Sequence, residues 1–427
     1  MGDGVDYVRR VVDDELDDLF HGLPAISLDG PKGVGKTSTA RRRGRSQVAL
    51  DQPATLEVIR ADPVRLCQGP EPIVIDEWQR FPAAWDIVRR AVDDDMRPGR
   101  FLLTGSASPA SPPTHSGAGR IVSVRMRPLT LSERAVERPS VSLGGLLRGR
   151  RPPVVGSTRV GLERYVAEIV GGGFPGMRNL TPRGRRAVLD GYLNHVVNRD
   201  FAEAGQSVRN PAALRRWMTA YAAAVATAAS YETIRDAATS GHGDKPAKTT
   251  TAPYRDTLER LWLVDPLPAW APTRNHLAKL TAFPKHHLAD PALAASLLGV
   301  DAEALLDGAS AGPPIPRDGT LLGALFESLV ALDVRVYAQA AEARVHHLRT
   351  KAGEREIDLI VVRPDHRVVA IEVKLSQTVD DDDVRHLRWL ADRIGTDLLD
   401  AVIVTTGTEA YRRKDGIAVV PAALLGP

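Results

Sequence analysis

The sequence predicts an α/β multidomain chain: a parallel sheet near the N-terminus, a helical middle and a small α/β unit at the end. Three observations predict it. Apolar runs of strand length alternate with helix-period patterns through the first 130 residues, as parallel strands with crossover helices require. Strand signals then nearly vanish between Val160 and Val300, where Ala, Leu and Arg dominate. Past a Gly/Pro/Ser break at 308–316 they return.

Length agrees, since 427 residues exceed what one hydrophobic core usually organises. Hydrophobic residues at 43% and charged residues at 26% exclude wholesale disorder. The net charge of +3 hides an asymmetry, because residues 151–300 are basic and 301–427 acidic. A basic middle points to nucleic acid as a partner of that part alone. One cysteine, Cys67, allows no intramolecular disulfide. The acidic, amphipathic start lacks a signal-peptide pattern, and no apolar run reaches the ~18 residues of a membrane helix. A cytoplasmic protein without a membrane partner is expected.

The first domain, 1–138, should hold strands at Ala25–Leu28, Ile73–Ile75, Phe101–Thr104 and Ile121–Val124, with a helix over Trp85–Val92. After the first strand, Gly30-Pro-Lys-Gly-Val-Gly-Lys-Thr37 fits G-x-x-x-x-G-K-[ST] without a mismatch. Glycines let backbone N–H groups curl around phosphate, a lysine reaches the β/γ-phosphates, and a hydroxyl ligates Mg²⁺. ATP and Mg²⁺ are the implied cofactors. The binding set is Gly30, Pro31, Lys32, Gly33, Val34, Gly35, Lys36, Thr37 and Ser38. About 40 residues on, Ile73-Val-Ile-Asp-Glu77 is an apolar strand ending in two carboxylates, a Walker B pattern. Asp76 would hold Mg²⁺ together with Thr37, and Glu77 would polarise the attacking water. Thr104, at the tip of the next strand, reads as a water-orienting sensor or as an ordinary turn residue. Arg120 reads as an arginine finger offered to a neighbouring subunit or as a surface arginine.

Residues 139–205 read as a Pro/Gly/Ser-rich linker followed by a helical segment. Residues 206–305 show helix patterns at Ala213–Ala228, Tyr231–Ala238 and near Lys248–Leu263, then a short apolar strand, Leu261–Val264. That is the order of a winged helix-turn-helix. Lys245, Lys248, Thr250 and Arg255 would face DNA phosphates, although winged helices also dock proteins.

The last domain, 316–427, should hold a helix over Thr320–Tyr337 and strands at Arg344–Leu348, Glu356–Val362, Val368–Val373 and Ala401–Thr405. A hairpin turning about Asp365 would set Asp358 opposite Glu372, with cross-strand Cβ atoms ~4.5 to 5.5 Å apart. Two carboxylates so placed suit Mg²⁺, with Mn²⁺ as the other oxygen-loving candidate. Lys374, two residues beyond Glu372, shares its face and could position a hydroxide or the scissile phosphate. Glu327, on the preceding helix, would be a further metal ligand.

Tyr7-Val-Arg-Arg10, Gly30–Thr37, Ile75-Asp-Glu-Trp-Gln79, Leu103-Thr-Gly-Ser106, Gly171-Gly-Gly-Phe-Pro175, Asn198-Arg-Asp200 and Ile371-Glu-Val-Lys374 together resemble the bacterial and archaeal AAA-type ATPases that end in domain of unknown function 4143. The resemblance covers nearly the whole chain and departs at Lys32-Gly33, where that family usually has Arg-Gln. It implies an AAA-type sheet, a winged-helix-like middle and a C-terminal domain similar to the PD-(D/E)xK nucleases, whose constellation Glu327, Asp358, Glu372 and Lys374 match. It also makes nucleotide-dependent homo-oligomers plausible. The expected function is an ATPase that binds DNA and couples its nucleotide state to a metal-dependent nuclease-like domain. The competing expectation is a regulatory nucleotide switch whose C-terminal fold binds DNA or a protein and cuts neither.

Overall fold

The structure, a computed structural model, describes residues 7–107, 118–239, 248–272, 283–307, 319–350 and 354–427. Its N-terminal sheet is five-stranded and wholly parallel. It is built from β1 (Ala25–Asp29), β2 (Ser46–Ala49), β3 (Ile73–Asp76), β4 (Phe101–Gly105) and β5 (Ile121–Arg125) in the order β2-β3-β4-β1-β5. β1, β3 and β4 are near-continuous apolar runs because helices cover both faces of the sheet. On one face, Ile73, Ile75, Phe101 and Leu103 pack against Trp85, Val88 and Val92 of the helix Ala83–Asp94.

The second sheet has eight strands. They are β7 (Gly156–Ser157), β8 (Ala269–Trp270), β9 (Arg344–Arg349), β10 (Glu356–Val362), β11 (Val368–Lys374), β12 (Leu398–Thr405), β13 (Glu409–Arg412) and β14 (Ala418–Pro421), ordered β7-β13-β14-β12-β11-β10-β9-β8. A two-stranded ladder joins β6 (Val141–Ser142) to β15 (Leu425–Gly426). Segment 139–157, expected to be an interdomain linker, is therefore built into the C-terminal unit, because β6 and β7 pair with its last strands. The expected wing strand Leu261–Val264 is absent among the described residues. Val264 and Leu267 instead make isolated bridges to Leu288 and Lys285. The three helices before it are present as Pro211–Ala223, Tyr231–Ala237 and Lys248–Arg260.

The helix Gly319–Ala340 joins the two sheets. Its Leu325, Phe326, Leu329, Val334 and Tyr337 lie in one buried cluster with Leu16, Ile26 and Leu28 of the first sheet's region and Val369 and Ile371 of the second. Polar contacts fix the same junction. The Leu131 amide donates to Asp333 Oδ1 (3.1 Å), Tyr337 Oη donates to Ser132 Oγ (3.0 Å), and Gln339 Nε2 donates to the Arg125 carbonyl (3.0 Å). Asp265 meets Arg125 and Arg127 beside the first sheet and Arg335 of this helix at 3.0, 3.1 and 2.7 Å. The parts share one core and one buried charge cluster. None of the helices is long and apolar enough to cross a membrane among the described residues.

Candidate functional site

The phosphate loop leaves the end of β1 and enters the helix Lys36–Arg41. A Cβ at position 30 would lie 2.2 Å from the Met126 carbonyl oxygen, so only glycine passes there. Gly35 has φ +101°, the left-handed region that glycine enters at no steric cost. Pro31 and Val34 are buried, while Gly33 and Ser38 are exposed. Arg10 braces the loop from behind, donating to the Val34 carbonyl (2.8 Å) and pairing with Glu133 (3.0 Å). Lys36 Nζ, 4% exposed as a residue, donates to the carbonyls of Gly30 (2.8 Å) and Pro31 (2.9 Å). Burial lowers its pKa to about 8 against the opposing pull of Glu77, Asp29 and Asp76.

Thr37 Oγ1 donates to Asp76 Oδ1 at 2.8 Å. The β3–β4 register sets Asp76 beside Thr104, whose hydroxyl donates to the same carboxylate and accepts from the Glu77 amide (3.2 Å). Gln47 Nε2 reaches the other Asp76 oxygen at 3.3 Å. Glu77 itself adopts φ 56°, uncommon for a residue with a side chain. Its carboxylate accepts from Ser106 Oγ and from Gln79 Nε2, both at 2.6 Å. A hydroxyl and a carboxylate side by side, next to a glycine cradle and a buried lysine, are the oxygen donors that Mg²⁺ takes and the cations and amides that phosphate takes. The residues fit ATP·Mg²⁺.

Sequence reasoning missed what lies against this loop. Lys32 Nζ is 2.6 Å from Asp200 Oδ1 and 3.3 Å from Glu203 Oε2, and Glu203 also pairs with Arg80 just past β3. Tyr192 Oη donates to the Lys32 carbonyl at 3.3 Å. Gly173 donates to Asp290 (2.7 Å), and its carbonyl accepts from Leu129 (2.8 Å). The motifs around Gly173 and Asp200 thus pack on the phosphate-loop side of the sheet. Arg120 does not join them. It precedes Ile121, which pairs with Ala25 at the end of the sheet away from the loop, and it bonds Asp93 at 2.7 Å.

Among the expected nucleic-acid residues, Lys245 lies outside the described residues, as does the side chain of Lys248. Thr250 is exposed. Arg255 is engaged within its own neighbourhood, bonded to Asp256 at 2.7 Å and stacked over the Tyr231 ring at 4.7 Å. The described part of this helix offers no free basic face.

In the C-terminal sheet, Leu359 faces Ile371, which brings Asp358 level with Glu372 as the hairpin arithmetic requires. Asp358 Oδ2 accepts from the Val373 amide at 2.9 Å. Two of the expected metal ligands, Glu327 and Asp358, are nevertheless engaged by a residue the sequence did not flag. Lys285 Nζ lies 2.8 Å from Glu327, 3.0 Å from Asp358 and 3.2 Å from Glu356. Burial first and then the Asp358 charge push Glu327 up to about 8, while burial raises Glu372 well above the carboxylate range. The three acidic neighbours outweigh burial and hold Lys285 charged. Lys374 Nζ stands 4.0 Å from Glu372 and from Asp383, and His386 Nδ1 is 3.7 Å from Glu372. No group of three or more His, Cys, Asp or Glu among the described residues is arranged to hold a metal. The residues brought together here do not fit one.

Comparison with known proteins places an AAA domain at residues 23–135 and two domains of unknown function, DUF8612 at 162–304 and DUF4143 at 322–425. Uncharacterized proteins of Mycobacterium bovis and Mycobacterium tuberculosis are each 27% identical over 97% of this chain and 83% of their own length. Among solved structures, the ORC2 protein of Aeropyrum pernix in its ADPNP–ADP complexes aligns with 70% of this chain and 95% of its own at 14% identity. The TM-score of 0.31 is too low for that likeness to carry an argument.

Proposed function

We propose that this chain, which joins an AAA-type ATPase domain to domain of unknown function 4143, binds ATP with Mg²⁺ at Gly30–Thr37, hydrolyses it, and uses the nucleotide state as a switch. One observation carries the reading: Thr37, Asp76, Thr104 and Glu77 are bonded into a single chain of contacts beside the phosphate loop. Lys36 would exchange its two loop carbonyls for phosphate oxygens. Thr37 and Asp76 would hold Mg²⁺, which supplies charge neutralisation at the phosphates. Glu77 would accept the proton of the attacking water, with Ser106 and Gln79 fixing its carboxylate until the water arrives. Thr104 positions both acids by bonding one side chain and the other's amide.

Lys36→Ala should abolish turnover and weaken ATP binding. Glu77→Gln should keep ATP affinity and lower kcat by about 10²- to 10⁴-fold. Loss of ATP binding in Glu77→Gln would remove its role as water activator.

What the switch acts on is read from charge and fold. The basic middle is the candidate DNA contact, with Lys245, Lys248, Thr250 and Arg255 as its first residues to test. DNA affinity that stays flat as salt rises would contradict phosphate contacts there. Subunit assembly, with Arg120 reaching a neighbour's nucleotide, is tested by sizing the protein with and without ATP. For the C-terminal domain the non-cleaving reading is the better supported, because Lys285 lies among the carboxylates that a nuclease would give to Mg²⁺. Mg²⁺- or Mn²⁺-dependent DNA degradation that is lost in Asp358→Ala and Lys374→Ala would reverse that preference.

A further inference from the structure

We infer that Lys285 is the resident cation of the C-terminal carboxylate cluster, standing permanently where a divalent ion would bind and making this domain a metal-independent module. The inference deepens the non-cleaving reading above and does not depend on ATP hydrolysis.

The ammonium meets Glu327 from the helix Gly319–Ala340 and Glu356 and Asp358 from β10 at 2.8, 3.2 and 3.0 Å. The ammonium donates hydrogen bonds to Glu327 and Asp358 and forms an ion pair with Glu356, so three acids share one cation. Mg²⁺ would need oxygens converging to about 2.0 to 2.1 Å in an octahedron. At 1% side-chain exposure, Lys285 leaves no room for both.

Permanence follows from how its segment is tied down. Lys285 exchanges two backbone hydrogen bonds with Leu267 (2.8 and 2.9 Å). The His286 amide donates to the Thr227 carbonyl (2.8 Å), and its carbonyl accepts from Ala226 (2.8 Å). The His286 ring packs between Tyr221 and Tyr231, each 5.0 Å away, and its Nε2 meets the Ala229 carbonyl at 2.8 Å. The Asp265 amide donates to the His287 carbonyl (2.9 Å), and Asp290 caps the next helix through Ala292 (2.8 Å). A lysine on so many anchors is not an arm that swings out to admit a metal. Withdrawing it would leave three carboxylates facing one another with partial solvent access, so the cation is also a brace between the middle domain and the C-terminal sheet.

The test uses the full chain without nucleotide, with Mn²⁺ as the probe. Free Mn²⁺ is counted by electron paramagnetic resonance, and thermal unfolding is followed in chelator and in millimolar Mn²⁺. The wild type should show no Mn²⁺ site that Asp358→Asn removes. Lys285→Met should lower Tm by about 3 to 6 °C and acquire an Mn²⁺ site that Asp358→Asn then abolishes. A stoichiometric, Asp358-dependent Mn²⁺ site in the wild type overturns the inference, as does a Lys285→Met protein of wild-type stability or one that gains no such site. Should Lys285→Met fail to fold, the wild-type comparison with Asp358→Asn decides alone. Mn²⁺ binding without DNA cleavage would sink this inference only. Cleavage that requires Asp358 would sink the non-cleaving reading with it.

Discussion

Lys32 Nζ, on the phosphate loop, lies 2.6 Å from Asp200 Oδ1, on the helical segment 168 residues later. Desolvation opposes the charge on Lys32, yet the net effect of Asp200 and Glu203 is to raise its pKa. The loop is thereby bonded to the helical middle of the chain through a loop side chain that the nucleotide chemistry does not itself require.

That contact predicts a specific coupling. Asp200 places negative charge beside the loop where ATP brings more, so Asp200→Asn should tighten ATP binding and Lys32→Met should weaken it. Lys32 is 36% exposed, so each effect should be about 1 kcal/mol or less, at most about fivefold in Kd. Titration of a fluorescent ATP analogue at low salt and at 0.5 M should show both effects shrinking as salt rises. Equal affinities in wild type and Asp200→Asn at low salt would remove the contact from the nucleotide response.

Burial lowers the Lys36 pKa to about 8, while bound phosphates favour the ammonium and raise it again. ATP binding should therefore take up a proton above pH 8, and affinity should fall by up to about tenfold per pH unit there. Calorimetry in two buffers of different ionisation heat measures the uptake directly. Lys36→Arg, charged throughout, should lose the pH dependence.

Much of this architecture was legible because continuous apolar runs mark buried strands. β1, β3, β4, β5, β10 and β11 fall within a residue of expectation, and the Asp358–Glu372 pairing followed from one hairpin turn. β2 escaped because Ser46-Gln-Val-Ala is a partly polar edge strand. Segment 139–157 looked like a linker because β6 and β7 are two residues each, too short to leave a pattern. The expected wing strand does not form, because Leu261, Leu263 and Val264 are apolar for packing in the core and make no ladder beyond isolated bridges. Lys285 was invisible for another reason. Nothing in Phe283-Pro-Lys-His-His287 distinguishes a buried lysine from a solvated one, and its hydrogen-bond partners Glu327 and Asp358 lie 42 and 73 residues away.

Asp265 should prove the most acid-sensitive contact of the junction. Arg125, Arg335 and Arg127 together outweigh burial and hold its carboxyl well below the usual range. With the folded pKa below the unfolded one, its stabilisation is present above pH ~4 and is lost as pH falls further. Asp265→Asn leaves three guanidiniums without their shared partner and should cost about 3 to 5 kcal/mol at pH 7. Denaturant unfolding at pH 7 and pH 3 should show that cost shrinking in acid. A neutral effect at pH 7 would mean that the arginines find other partners.

Asp333 should behave in the opposite sense. It is fully buried on the helix Gly319–Ala340, and burial pushes its pKa up to about 8 despite Arg134 and the Leu131 amide. With the folded pKa above the unfolded one, the folded state holds a proton that the unfolded chain has released between pH ~4 and about 8. Stability attributable to this group is therefore present below pH ~4 and declines as pH rises toward 8. Asparagine keeps an oxygen for the Leu131 amide and never ionises. Asp333→Asn should match the wild type near pH 4 and exceed it at pH 8 by an amount on the order of 2 kcal/mol, read from denaturant midpoints across that range. A variant less stable than wild type at pH 8 would show that the ionised carboxylate, and not its neutral form, is what this junction was built around.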